Sequence, residues 1–185
     1  NFPEDPKDLT LTAGTGMISF AQPVGGIEDE AGYPTLRVQS TGSSGIEIDS
    51  WTKLALIGND VAYPLSGAYV LTAYLSDADG DYEGIGNLWV PIGGWSDPFT
   101  GIFDGQNYTI SDLVVDQAYF GGFFGVLSGA TVSNLGLVDV NISGIESAGL
   151  AADSYSGSLI TNSYATGVVS GDNCGGLVAY QEASS

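Results

Sequence analysis

The feature that most constrains this chain is a recurrence at 27 residues. Gly122-Phe123, Gly149-Leu150 and Gly176-Leu177 return at that interval, as do Gly144 and Gly171. A second series runs through the same stretch as Ile110-Ser111-Asp112, Val132-Ser133-Asn134 and Ile160-Thr161-Asn162. Each member is a β-branched residue, a small hydroxyl residue, then Asn or Asp. A third series precedes it: Phe103-Asp104-Gly105, Phe123-Phe124-Gly125 and the weaker Leu150-Ala151-Ala152. Repeats of this length signal units that cannot bury an apolar face alone and must stack to do so.

Between these marks the chain alternates. Val138, Val140 and Ile142 put apolar side chains on one face, as a strand requires. Between Ile110 and Leu113 the alternation slips phase, so the chain must turn a corner there. Asn, Asp and Gly tolerate the left-handed backbone such corners use. Stacked corners bring like residues together, so Asp112, Asn134 and Asn162 are predicted to form a structural ladder of hydrogen-bonded side chains. Together these features predict an all-β fold, a β-solenoid of about three coils of roughly 20 to 28 residues each. An antiparallel sandwich with strands that resemble one another is the alternative. Helix is expected to be minor, with one or two turns between Asp49 and Gly58 capped by Asp49 or Ser50.

Two segments follow from the change of pattern. Residues 46–185 read as the solenoid, with 46–100 as its leading edge and GGLVAY as an unfinished coil that suggests truncation or a missing cap. Residues 1–45 read as a strand-rich appendage, with strands around Leu9–Thr12 and Met17–Phe20. Such an appendage could cover an open sheet edge, its own or a neighbour's. The acidic stretches PEDP (3–6) and EDE (28–30) read as solvated charge. The chain opens NFPEDP without Met, which suggests a removed leader or a trimmed terminus.

Composition limits the chemistry. Three basic residues, Lys7, Arg37 and Lys53, stand against 22 acidic ones, for a formal charge of −19. That surface repels phosphate backbones and anionic membranes, so nucleic acid is excluded as a partner. Membrane insertion is excluded too, since no long apolar run occurs. There is no His, the most frequent general base and transition-metal ligand. The single Cys174 has neither a disulfide partner nor a His to activate it. Such an acidic, His-free, Gly-rich chain suits an extracellular or cell-surface setting.

Taken together, PLSGAYVLTAYL, WVPIG, FTGIFDGQNYTISDL, GGFFG, SNLGLVDVNISG, NSYATGVVSG and GGLVAY resemble the GLUG-motif repeat proteins over about residues 46–185. These are large surface or secreted proteins of bacteria and archaea, often adhesin-like or attached to peptidase and carbohydrate-binding modules. The resemblance implies a β-solenoid in an extracellular setting. It implies no reaction, because those repeats carry no catalytic residues to transfer.

Four local features bear on function. Asp77, Asp79, Asp81 and Glu83 alternate in SDADGDYEG, a pattern able to wrap oxygen ligands around calcium. It is not an EF-hand, since Tyr82 replaces the required Gly and Leu88 the closing Glu. Calcium is thus the cofactor to consider, with a solvated acidic loop as the alternative. Trp95, between GG and SDP, is predicted to be exposed and able to stack on sugar, with Tyr155, Tyr164 and Tyr180 beside it. Trp89, Phe99 and Phe103 are expected in the core. Asn107-Tyr-Thr and Asn141-Ile-Ser are N-glycosylation sequons.

Many polysaccharide-cleaving enzymes are also β-helices, and paired carboxylates could serve a glycosidase. From Gly84 onward, however, the chain holds no Lys, Arg or His, the residues such lyases and hydrolases use beside their acids. Ser156 and GGFFG have no base in reach. The expected function is therefore a non-enzymatic structural or adhesive module. The alternatives are a glycan-binding adhesin domain and a self-assembling fibre or sheath subunit. Partners are further copies of the chain or surface glycans.

Overall fold

Stacking begins at the corners, where seven non-glycine residues among those described take positive φ, including Asp112 (60°), Asn134 (54°), Asp139 (54°) and Asn162 (48°). In these four a short polar side chain occupies a conformation that costs other L-residues roughly 1–2 kcal/mol. The computed structural model describes residues 45–86 and 88–182. The expected strands near Leu9–Thr12 and Met17–Phe20, the PEDP and EDE acids and the appendage call for 1–45, Gly45 excepted, lie outside the described residues.

The first sheet has one strand per coil: β1 (Ile46–Ile48), β2 (Ala68–Leu71), β3 (Ile102–Asp104), β8 (Thr131–Ser133) and β12 (Leu159–Thr161), all parallel. Ile46, Tyr69, Phe103, Val132 and Ile160 stand in register across it and form one inward apolar column. The second sheet joins β4 (Thr109–Ser111) and β5 (Val114–Asp116) to β9 (Gly136–Ser143), and β9 to β13 (Tyr164–Ser170). The third stacks β6 (Phe120–Gly121), β10 (Glu146–Ala148) and β14 (Asn173–Gly175). The fourth stacks β7 (Phe124–Ser128), β11 (Ala151–Tyr155) and β15 (Val178–Gln181). This is a β-solenoid of five turns, not three. The first two turns escape a repeat count because a helix replaces strand in the first and an insertion lengthens the second. The helix α1 (Trp51–Ala55) lies between β1 and β2, and residues 76–98 lie between β2 and β3. With every strand pair among the described residues parallel, the antiparallel sandwich is excluded for them.

The core is aromatic at its centre. Phe123 is fully buried and stacks on Trp89, with ring centroids 5.6 Å apart and planes 10° from parallel. Phe103 and Phe124 meet it edge-on at 5.6 and 4.8 Å. The indole Nε1 of Trp89 donates to the Phe123 carbonyl at 2.9 Å, so the buried N–H is satisfied. In β9 the inward residues are Leu137, Val140 and Ile142, whereas Val138 is only half-buried. The left-handed Asp139 shifts the phase by one residue between Leu137 and Val140, as Asp112 does between Ile110 and Leu113.

That parallel identifies two corner columns. Asp112 donates its backbone N–H to Val138 O, and Asp139 donates its own to Thr166 Oγ1, so Asp112, Asp139 and Thr166 share the corner of the second sheet. The ladder expected from Asp112 to Asn134 therefore begins elsewhere. Asn162 Nδ2 donates to Asn134 Oδ1 at 3.3 Å, and Asn134 Nδ2 donates to Asp104 Oδ1 at 2.9 Å. Asp104, at the end of β3, is the first rung, because β3 and not β4 stacks beneath β8. Likewise Phe103-Asp104-Gly105 belongs to the first sheet, while Phe124 pairs with Ala151 in the fourth. Gly105 permits the close approach at this corner, since a Cβ there would lie 2.6 Å from Leu135 Cα.

Asn134 thus combines a left-handed backbone with two amide bonds. Asn134→Ala is expected to cost about 2–3 kcal/mol, the sum of backbone strain and lost hydrogen bonds. Asn134→Gly removes the bonds without the strain and is expected to cost about 1–2 kcal/mol. Urea denaturation of the two variants separates the contributions, and equal losses would show that the backbone conformation contributes nothing.

Candidate ligand-binding groove

The strand β11 reads Ala-Ala-Asp-Ser-Tyr, and its middle residue is the unusual one. Asp153 is only 4% exposed, and its Oδ1 has no hydrogen-bond partner. Val126 and Tyr180 flank it in register on the neighbouring turns. Neither can neutralise it. Its ionisable neighbour is Glu146 on β10, also an acid. Burial, reinforced by the Glu146 carboxylate and a hydrogen bond with it, pushes Asp153 up to about 6.

Trp95 approaches from above. Its loop is pinned on one side by Ile92 bridging to Phe124 and on the other by Phe99 bridging to Leu127. Gly93 at φ 76° lets the chain turn away between those bridges. The indole is 68% exposed and leans on Tyr155, centroids 6.1 Å apart. From the opposite side come Tyr119 and Phe120, paired edge-to-face at 4.6 Å. Trp95, Tyr119, Phe120, Glu146, Asp153 and Tyr180 line one open groove of about 510 Å³. The groove is therefore lined by aromatic rings and a pair of carboxyls, a combination suited to binding.

Sequence reasoning singled out Trp95 and Tyr180 here but missed Tyr119, Glu146 and Asp153, which register alone brings together. One signal was present: an acid in the middle of a strand, between alanines and a serine. Tyr164, also considered for stacking, lies on β13 outside this groove and is exposed.

Two carboxylates of the acidic loop are tied into the fold. Asp79 Oδ2 accepts the Ser76 N–H at 2.7 Å, closing its own turn. Asp81 Oδ2 accepts the Thr52 N–H at 2.8 Å, satisfying the first turn of α1 from 29 residues away. Ser50 caps the same helix by accepting from the Lys53 N–H. Asp77 is exposed, and Glu83 sits in a short 3-10 turn. Among the described residues, no three His, Cys, Asp or Glu side chains gather as a set able to hold a metal ion. Both sequon asparagines are exposed, Asn107 in a left-handed turn and Asn141 on the outer face of β9.

The chain is 36% identical over 155 residues to halomucin of Haloquadratum walsbyi, an overlap of 78% of this chain and 2% of halomucin. It is 33% identical over 134 residues to an immunoglobulin A1 protease of Streptococcus sanguinis, covering 71% of this chain and 7% of the protease. The chain thus spans only a small part of the length of either relative. No protein-family profile matches it, and no solved structure does.

Proposed function

We propose that this chain is a non-enzymatic structural and adhesive segment of an extracellular or cell-surface protein. The observation that carries this reading is the five-turn parallel stack, in which corner carboxylates and amides bond from turn to turn. Asp104, Asn134 and Asn162 hold the turns together, and Asp81 holds the helix, so these polar groups serve the scaffold. The likeness to segments of halomucin and of the immunoglobulin A1 protease supports the surface setting. So does the GLUG-like pattern. No helix among the described residues is long and apolar enough to cross a membrane. The acidic surface keeps such a segment soluble and disfavours random association.

The reading is tested on intact producing cells. An antibody to this segment should label unpermeabilised cells or the medium, and the purified chain should leave immunoglobulin A1 intact. Labelling only after lysis, or cleavage of the immunoglobulin, would overturn it.

Self-assembly is a second reading, favoured by one observation. The fifth turn leaves Leu159, Tyr164 and Val168 between 51% and 63% exposed. Its outer backbone edge has no strand against it among the described residues, so a further parallel turn, from the same protein or from another copy, can add there. Sedimentation that grows with concentration would support this reading; a monomer at all concentrations would remove it. The part expected of residues 1–45 in covering that edge lies outside the described residues.

A further inference from the structure

We infer that the groove between Trp95, Tyr119 and Tyr180 binds an amino sugar, its ring against the aromatic faces and its ammonium group on Asp153 and Glu146. The inference rests on the surface-adhesive reading and names the ligand class for it.

Three independent features converge on this chemistry. First, Asp153 Oδ1 is a buried acceptor with no donor in the protein, although buried acceptors are nearly always satisfied. A ligand N–H or O–H in the groove would supply the missing donor. Second, Asp153 and Glu146 face one another with no cation near them, and the sequence provides no Lys, Arg or His after Lys53. An incoming ammonium would relieve that like-charge repulsion, whereas an anionic sugar would add to it. Third, Trp95, Tyr119 and Tyr180 are 68%, 50% and 59% exposed. Their faces suit the C–H surface of a sugar ring and also attract a cation. An acid pair alone would take any cation, and aromatic walls alone would take any sugar. The groove has both, and its volume of about 510 Å³ is that of a small-ligand site.

The experiment is calorimetry on the full chain with three probes. A glucosamine tetramer carries rings and ammonium groups, an N-acetylglucosamine tetramer carries the rings without charge, and tetralysine carries the charge without rings. The glucosamine tetramer is expected to bind roughly tenfold or more tightly than either of the others. Trp95→Ala and Glu146→Gln are each expected to weaken it by roughly tenfold. Both side chains lie at the surface of the groove, and an unchanged circular dichroism spectrum will show that the variants fold. Equal binding of the acetylated tetramer would remove the ammonium, and equal binding of tetralysine would remove the sugar; either result overturns the inference. So would absence of binding, or binding indifferent to both substitutions. Any of these would leave the surface reading intact, because that depends on labelling of intact cells.

Discussion

Phe123→Ala is expected to lower the unfolding free energy by about 4 kcal/mol, the usual loss for a buried phenylalanine. Phe123 is fully buried and is the ring on which Trp89, Phe103 and Phe124 all pack. A solenoid turn is held by its neighbours, so a hole at this point loosens several turns at once. Because domains are stable by only about 5–15 kcal/mol in total, the loss will be evident in a urea melt followed by tryptophan fluorescence. Trp95→Ala provides the contrast. Its indole is 68% exposed, so a change within about 0.5 kcal/mol is expected. Comparable losses from the two substitutions would mean that the aromatic cluster is not the centre of the core.

Asp153→Asn is expected to stabilise the protein at neutral pH. The folded-state carboxyl is raised to about 6 from an ordinary 3.8 by burial and by Glu146. The native chain therefore holds this proton more firmly than the unfolded chain. Below about pH 4 both states are protonated and the residue has no effect. Between pH 4 and 6 the unfolded chain releases the proton first, and native stability declines as pH rises. Above about pH 6 the full penalty is present, on the order of 2–3 kcal/mol. Asparagine does not ionise, and its amide can donate to Glu146. The difference between variant and wild type should thus open from near zero at pH 4 to about 2–3 kcal/mol at pH 7. Parallel melting curves across that range would show that Asp153 is not buried beside another acid. The stability gained would accompany the loss of a ligand contact, a common exchange at binding sites.

Much of the architecture was legible in the residues. Gly149-Leu150 and Gly176-Leu177 recur because they stack directly: Gly149 N–H donates to Gly176 O, and Leu150 N–H to Leu177 O. Asn134 and Asn162 recur because a left-handed corner restricts the choice of residue and rewards an amide that reaches the next turn. Asp112 misled because it meets the same backbone requirement at a different corner. Local chemistry reveals that a corner exists, but only register tells which corner lies above which. The same limit hid two of the five turns, the first shortened and partly helical, the second lengthened by the acidic loop. The groove was the least legible part. Its lining comes from Trp95, Tyr119, Glu146, Asp153 and Tyr180, gathered from four successive turns. Nothing local marks Glu146 as a neighbour of Asp153.

Parallel stacking of turns about 27 residues apart underlies the core, the ladder and the groove, and the lone Cys174 allows it to be tested with one substitution. Ser147 and Cys174 are register partners on β10 and β14. Neighbouring strands lie about 4.8 Å apart, within the span a disulfide can bridge. Ser147 Oγ has no hydrogen-bond partner, so its replacement sacrifices no bond. Ser147→Cys, mildly oxidised and weighed intact, should give a monomer lighter by two hydrogens, its thiols closed on each other. Two free thiols, or disulfide-linked dimers in place of that monomer, would contradict the parallel stack.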